Sequence, residues 1–176
     1  MAVKRPIRSG YLAAWLLLIV AVITPTLLRI DFGEAGPTVT IVVLDGNART
    51  VSLEEMKRLP TVSRRGTCQN QYGNWRDEGT YTGVRLADLV GADVDYEAIR
   101  VIARDGYEVL IMRSRIEDLA YPVVLAYAFD GTEVPGWADG FRIAVLPEDG
   151  NVGNEEYGVD SAGSYWVKNV ERIILQ

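Results

Sequence analysis

Cys68 is the side chain in this 176-residue chain with the clearest potential for redox or metal chemistry, and it is the only cysteine. It lies in the segment Arg64–Trp75, which has two arginines before the sulfur and amides, glycines and aromatic residues after it. Nearby positive charge lowers the pKa of a thiol and favours a reactive or metal-ligating thiolate. A buried cysteine that acts as a small apolar residue is the other interpretation, and the residues alone leave both open.

Histidine is absent from the sequence, which restricts the chemistry further. Ser-His and Cys-His nucleophile pairs are excluded, because both need an imidazole as the base. A zinc site of cysteine and histidine ligands is excluded as well, since one sulfur cannot supply three or four ligands. Any soft metal in this protein would have Cys68 as its one soft protein ligand.

The charge distribution argues against nucleic acid as a partner. The chain has a net charge of −6, and residues 30–176 carry 14 basic and 24 acidic side chains, a net charge of −10. Binding to nucleic acid depends largely on neutralising phosphates with basic residues. An acidic domain of this kind is therefore expected to repel nucleic acid.

The N-terminus has the pattern of a membrane anchor. Residues 1–10 are basic, and an apolar run of about eighteen residues follows from Tyr11 to Leu28, which is just long enough to cross a bilayer. No small-residue cleavage site follows, so we expect an uncleaved single-pass anchor in the cell membrane, with a removed signal peptide as the alternative. The positive-inside rule then places the remaining domain outside the cytoplasm. We predict an anchor or signal over residues 1–30, a linker over 31–38 and one domain over 39–176.

The pattern of the domain predicts many short strands and two or three short helices. Residues 39–44 are rich in β-branched side chains, and Ser52 with Glu55 forms a predicted capping box for a helix over 53–58. We expect a polar loop at 76–80, a long loop over 148–163 and a closing strand over 165–175. The predicted fold is α+β, a mainly β sandwich-like domain and not a doubly wound sheet.

Several motifs in order resemble a known family over residues 39–175. This part of the chain is similar to the oxidoreductase molybdopterin-binding domain, which has the sulfite oxidase fold. The matching segments are residues 51–60, Thr67–Asn70, residues 81–89, Asp105–Tyr107, residues 124–127 with Asp130–Gly131 and Pro135, residues 142–147, and residues 166–171.

The resemblance implies a molybdenum–molybdopterin cofactor and a role for each of several residues. Cys68 matches the cysteine that ligates molybdenum in the family, where the pterin dithiolene supplies the other sulfurs. Tyr72 is the second candidate catalytic residue, not because of the resemblance but because it lies near Cys68 in the sequence and could donate a hydrogen bond to a bound oxyanion. The candidate cofactor-binding residues are Arg65, Thr67, Cys68, Asn70 and Ser164. A redox enzyme of this kind also needs an electron-transfer protein as its partner.

The sequence departs from the family pattern at positions that contact the cofactor. The family places two lysines before the closing tryptophan, and neither is present in Ala162–Trp166; a family His-Gly pair is replaced by Asp139-Gly140. Two hypotheses follow. The first is a membrane-anchored, extracytoplasmic molybdopterin-dependent oxidoreductase. The second is a non-catalytic relative that has lost the cofactor and binds a small ligand or a protein.

Overall fold

A computed structural model describes residues 36–44 and 46–176. Within these residues no helix has the length and apolar character needed to cross a membrane. The predicted anchor lies outside the described residues, as does most of the predicted linker.

Short strands dominate the described chain, as the sequence predicts. In chain order the elements are β1 Thr38–Val42, β2 Ala48–Ser52, α1 Leu53–Met56, β3 Thr61–Gln69, β4 Trp75–Arg85, α2 Leu86–Val90, β5 Ala98–Ala103, β6 Glu108–Met112, α3 Arg113–Ile116, β7 Val123–Phe129, β8 Thr132–Glu133, β9 Arg142–Val145, β10 Asn151–Val152, α4 Asn154–Tyr157, the 3₁₀ helix Ala162–Tyr165 and β11 Val170–Leu175. The prediction of a mainly β domain with a few short helices is confirmed.

The strands form two sheets. The first has the order β2-β1-β11-β5-β6, in which β1 runs parallel to β11 and the other neighbours are antiparallel. The second has the order β10-β3-β4-β7-β8, and β9 also pairs with β7. Alternate residues of β1 and β5 are buried, which follows from the two-residue period of a strand with one face on the core.

The strongest local signals in the sequence correspond to real elements. The β-branched run gives β1, and Ser52 caps α1 by accepting from Glu55 N (3.3 Å) while the Glu55 carboxylate accepts from Ser52 N (2.7 Å). The predicted capping box is therefore confirmed, although α1 ends at Met56, earlier than expected.

Three predicted segments are wrong. Residues 76–80 belong to β4, because their mostly exposed polar side chains do not prevent pairing with β3, which continues on both sides of a register shift between Gly66 and Cys68. The predicted loop over 148–163 contains β10, α4 and the start of the 3₁₀ helix, elements too short to produce a periodic pattern. The last strand begins at Val170 and not at 165, since the 3₁₀ helix occupies the preceding residues.

Candidate ligand-binding cleft

An irregularity between β3 and β4 positions Cys68. Gly66 pairs with Gly79 and Cys68 pairs with Arg76, so β4 has one residue more than β3 between these two pairs. The backbone carbonyl of Arg76 accepts a hydrogen bond from Thr67 Oγ1 (2.9 Å) and a weak one from Cys68 Sγ (4.0 Å). Such bulges bend a strand and change the direction of its side chains, and they are frequent beside functional sites.

The bulge gives Asp77 an unusual backbone conformation. Its φ is +56°, in the left-handed region that most side chains avoid, and its carbonyl accepts a hydrogen bond of 2.6 Å from Tyr81 Oη. A non-glycine residue at such a φ persists only where its surroundings hold it. Tyr81, which is fully buried, is part of that support.

The 3₁₀ helix covers the sulfur of Cys68. A Cβ atom added at Gly163 would lie 3.6 Å from Cys68 Sγ and 3.3 Å from Gln69 O, so this helix packs closely against the end of β3. Only 1% of Cys68 is exposed. The glycine is what permits this close approach.

Asn154 links the 3₁₀ helix to the end of β3. Its Nδ2 donates to Asn70 O (2.8 Å), and its Oδ1 accepts from Ala162 N (2.8 Å). Its backbone N–H donates to Gln69 Oε1 (2.9 Å). Three hydrogen bonds at one residue thus hold the cover over Cys68.

Two adjoining cavities lie beside this arrangement. The first, here called the sulfur cleft, has a volume of about 320 Å³ and is lined by Cys68, Asn70, Gln71, Arg76, Asp77, Tyr107, Ser161, Gly163 and Ser164. The second, the charged cavity, has a similar volume of about 320 Å³ and is lined by Asp77, Ala103, Asp105, Tyr107, Arg142, Gly163, Trp166, Val167, Lys168 and Asn169. Asp77, Tyr107 and Gly163 belong to both, and Tyr107 Oη donates to Ser164 O (2.8 Å).

Four charged side chains meet at the charged cavity and form what we call the charge cluster. Arg142 donates to Asp77 through Nη2 (2.6 Å) and to Asp139 through Nη1 (3.0 Å). Lys168 Nζ lies 3.1 Å from Asp139 Oδ2 and 3.5 Å from Asp77 Oδ1. The cluster has two positive and two negative charges, so its formal charge is zero.

Arg142 is the buried member of the cluster, with 2% of its side chain exposed. Its guanidinium carbon lies 5.6 Å from the ring centroid of Tyr81 and 5.4 Å from that of Trp166, so two aromatic rings flank the cation. Within the part of the chain that the structure describes, Arg142 Nε and Trp166 Nε1 are buried donors without a hydrogen-bond partner.

The pKa values follow from burial and from these charges. Burial raises the pKa of the Cys68 thiol to about 12; the charge of Asp77 raises this pKa further, whereas the charges of Arg142 and Lys168 lower it. The thiol is therefore protonated at neutral pH. Burial would raise the pKa of Asp77, but the hydrogen bond and charge of Arg142, together with Lys168, outweigh it and hold the pKa below its ordinary value.

The structure brings half of the predicted site residues to the sulfur cleft. Cys68, Asn70 and Ser164 line it. Thr67 is buried behind it with its hydroxyl bonded to the Arg76 carbonyl. Two predicted residues lie outside its lining: Arg65 pairs with Glu78 (2.7 Å), and Tyr72 is 79% exposed in the β3–β4 turn.

Sequence reasoning missed the residues that organise the site most directly. Asp77 carries no local signal, because its role depends on the bulge and on Arg142, which is 65 residues away. Asn154 lies in a segment predicted to be a loop. Asp139 was noted only as a departure from the family pattern, and that departure was the one available pointer to the charge cluster.

No protein-family model matches this chain, and no curated protein sequence matches it significantly. Among solved structures, 26 chains match. One is the crystal structure of the sulfane dehydrogenase SoxCD from Paracoccus pantotrophus, with a TM-score of 0.57 and 16% identity over 83% of this chain. The chain corresponds to 39% of the SoxCD chain. At this identity the likeness shows the fold alone, and that fold is consistent with the mainly β, sulfite-oxidase-type fold predicted from the sequence.

The site does not fit a molybdopterin bound through Cys68. A metal on Sγ needs open space beside the sulfur, whereas 1% of Cys68 is exposed and even a Cβ atom added at Gly163 would lie 3.6 Å from Sγ. Arg142 and Lys168, the cations that bear most directly on the sulfur, are already paired with carboxylates. The sulfur cleft, at about 320 Å³, is also at the small end of the range of ligand pockets.

Proposed function

We propose that the described domain is a small-ligand-binding module with an oxidoreductase-like fold, in which Cys68 is a packed, protonated thiol and not a metal ligand. The observation that carries this proposal is the cover over the sulfur: a Cβ atom added at Gly163 would lie 3.6 Å from Sγ, and 1% of Cys68 is exposed. A buried free cysteine with a raised pKa is chemically inert.

The sulfur cleft is the proposed binding site. Asn70, Gln71, Arg76 and Ser164 give it hydrogen-bonding groups of both kinds, and Tyr107 gives it an aromatic wall. A concave site with a few convergent polar groups is the usual form of a small-molecule site. Its volume of about 320 Å³ suits a compact polar ligand.

Metal analysis tests the role of Cys68. Protein purified from a host that makes molybdopterin is expected to contain molybdenum and tungsten far below stoichiometry. The Cys68→Ala variant is expected to give the same result. Stoichiometric metal in the wild type that disappears in Cys68→Ala would overturn the proposal.

A binding screen tests the cleft. Small neutral amides, alcohols and ureas are added to isotope-labelled protein, and amide chemical shifts are followed by NMR. Compounds that bind are expected to shift Asn70, Ser164 and Tyr107, and Gly163→Val should abolish these shifts by filling the cleft. Gly36→Val is the control, because a Cβ there meets nothing within 4 Å. Shifts confined to the separate cavity around Leu59 and Tyr96 would contradict the proposed site.

The second candidate function is a membrane-anchored, extracytoplasmic molybdopterin-dependent oxidoreductase with an electron-transfer partner. Two observations favour it: the fold is similar to part of a sulfane dehydrogenase, and Cys68 is among the residues that line the cleft. The metal measurement above decides between the two candidates. Membrane fractionation and protease protection of the full chain test the predicted anchor and orientation separately.

A further inference from the structure

The four charges of the charge cluster compensate one another. Each carboxylate contacts both cations, with distances of 2.6 and 3.0 Å to Arg142 and of 3.5 and 3.1 Å to Lys168. Charge-assisted bonds of this kind are about twice as strong as neutral ones. Neither cation is therefore left with an unmatched charge to offer to a ligand.

The acids also lie where a ligand anion would enter. Asp77 lines the charged cavity, and Asp139, whose side chain is 29% exposed, contacts both of its cations. Lys168 is 46% exposed, so it is the cation that an incoming anion meets first, but both acids already contact it. The surrounding domain adds a net charge of −10 over residues 30–176, which raises the free energy of any approaching anion.

We infer that Asp77 and Asp139 are built-in anions that determine specificity: they neutralise Arg142 and Lys168, so that the cavity excludes oxyanions and accepts neutral polar ligands. This inference rests on the proposed function, since it defines the ligand class of the charged cavity, which adjoins the sulfur cleft and shares Asp77, Tyr107 and Gly163 with it. It makes Asp139 the residue that separates this site from one that binds an anionic group.

Inorganic phosphate is the probe, measured by titration calorimetry at low ionic strength with the full chain. The wild type is expected to bind no phosphate at millimolar concentrations. Asp139→Asn keeps the shape of the side chain and leaves one positive charge unmatched, so its affinity should exceed the wild-type limit by about tenfold or more. Asp105→Asn is the matched control, because Asp105 lines the cavity without an ion pair to either cation within the described residues. It should behave as the wild type.

Phosphate binding by the wild type, together with changes in the NMR amide chemical shifts of Lys168 and Asn169, would overturn the inference. A folded Asp139→Asn variant that binds phosphate no more tightly than the wild type would also overturn it. If Asp139→Asn does not fold, Asp77→Asn tests the same step, and the wild-type result stands by itself. Equal gains in phosphate affinity in Asp105→Asn and Asp139→Asn would also count against the inference. The loss of a negative charge near the cavity, and not the loss of an ion pair, would then explain both gains. Metal content is measured independently. Stoichiometric molybdenum would refute the proposed function, and gained phosphate affinity in Asp139→Asn would then still show that Asp139 masks the charge of the two cations.

Discussion

The site has two ends, the sulfur cleft around Cys68 and the charge cluster around Arg142, and different kinds of interaction stabilise them. At the sulfur end, a neutral thiol is covered by a helix that approaches through Gly163 and is held by hydrogen bonds from Asn154. At the other end, four charges compensate one another around the buried Arg142. Asp77 belongs to both ends, since it lines both cavities and raises the pKa of the Cys68 thiol.

The difference shows where each end is vulnerable. The packing around Cys68 is stabilised by van der Waals contacts and a few neutral hydrogen bonds. A perturbation there is therefore expected to open the cover over the thiol. In the charge cluster, the removal of one partner lowers the stability of the fold, because the remaining charges are left uncompensated in surroundings less polar than water. Substitutions in the charge cluster should therefore act mainly on the free energy of unfolding. Substitutions beside Cys68 should be smaller in effect and act mainly on the reactivity of the thiol.

The largest effect is expected from Arg142→Met. It leaves Asp77 and Asp139 beside each other with only the partly exposed Lys168, so we expect a loss of about 3–5 kcal/mol in the free energy of unfolding. Urea denaturation measures it. Arg113→Met is the control, because Arg113 is 37% exposed in its pairs with Asp95 and Glu117, and it should cost less than about 1 kcal/mol. Equal costs would mean that burial does not distinguish the two arginines.

Asp77→Asn should have the next largest effect and should depend on pH. The substitution replaces a charge-assisted bond to Arg142 by a neutral one, for a loss of about 1–3 kcal/mol at neutral pH. The folded-state pKa of Asp77 is below its ordinary value of 3.8, so the carboxylate stabilises the fold fully above that value. Its contribution disappears as the pH falls below 3.8 towards the folded pKa. The stability difference between wild type and variant should therefore shrink in acid; a constant difference would contradict this account.

Asn154→Ala should act mainly on access to the thiol. It removes the side-chain bonds to Asn70 and Ala162, at a cost of about 1–2 kcal/mol, and loosens the cover over Cys68. Alkylation by iodoacetamide under native conditions should become about tenfold faster, beyond what global unfolding predicts. Asn151→Ala is the control, because Asn151 bonds to Asp149 and Arg65 and not to the 3₁₀ helix. Unchanged alkylation in Asn154→Ala would show that other contacts hold the cover.

Tyr72→Phe should have the smallest effect. The side chain is 79% exposed and lies outside the lining of the sulfur cleft, so the change in stability should stay within about 0.5 kcal/mol. Binding of neutral fragments should be unchanged as well. A large loss of binding would restore Tyr72 as a member of the site, as its position near Cys68 in the sequence predicts.

The sequence predicts the elements whose signals are local. The β-branched run of β1 and the Ser52–Glu55 capping box need no distant partner, and both are found where expected. Cys68 was identified as the centre of the site from its type and its neighbours, and it does line the cleft.

The arrangement around Cys68 depends on contacts that no local pattern encodes. The helix that covers the sulfur comes from residues 162–165, almost a hundred positions later in the chain. The pairing of Asp77 with Arg142 spans 65 positions and depends on a bulge in β4. Arg142 itself lies in a short, fully buried strand, where a hydrophobic pattern would not predict a charge.

The bulge between β3 and β4 also determines which face of the sheet each later residue of the strand presents. Because side chains alternate from face to face along a strand, the extra residue reverses which face each later position presents. Deleting Arg76 or Glu78 would rotate Asp77 away from Arg142 while leaving the composition of the strand almost unchanged. Lengthening the exposed turn at 71–73 would not alter that alternation. Length variation in this hairpin should consequently be tolerated in the turn and selected against at the bulge, only a few positions apart.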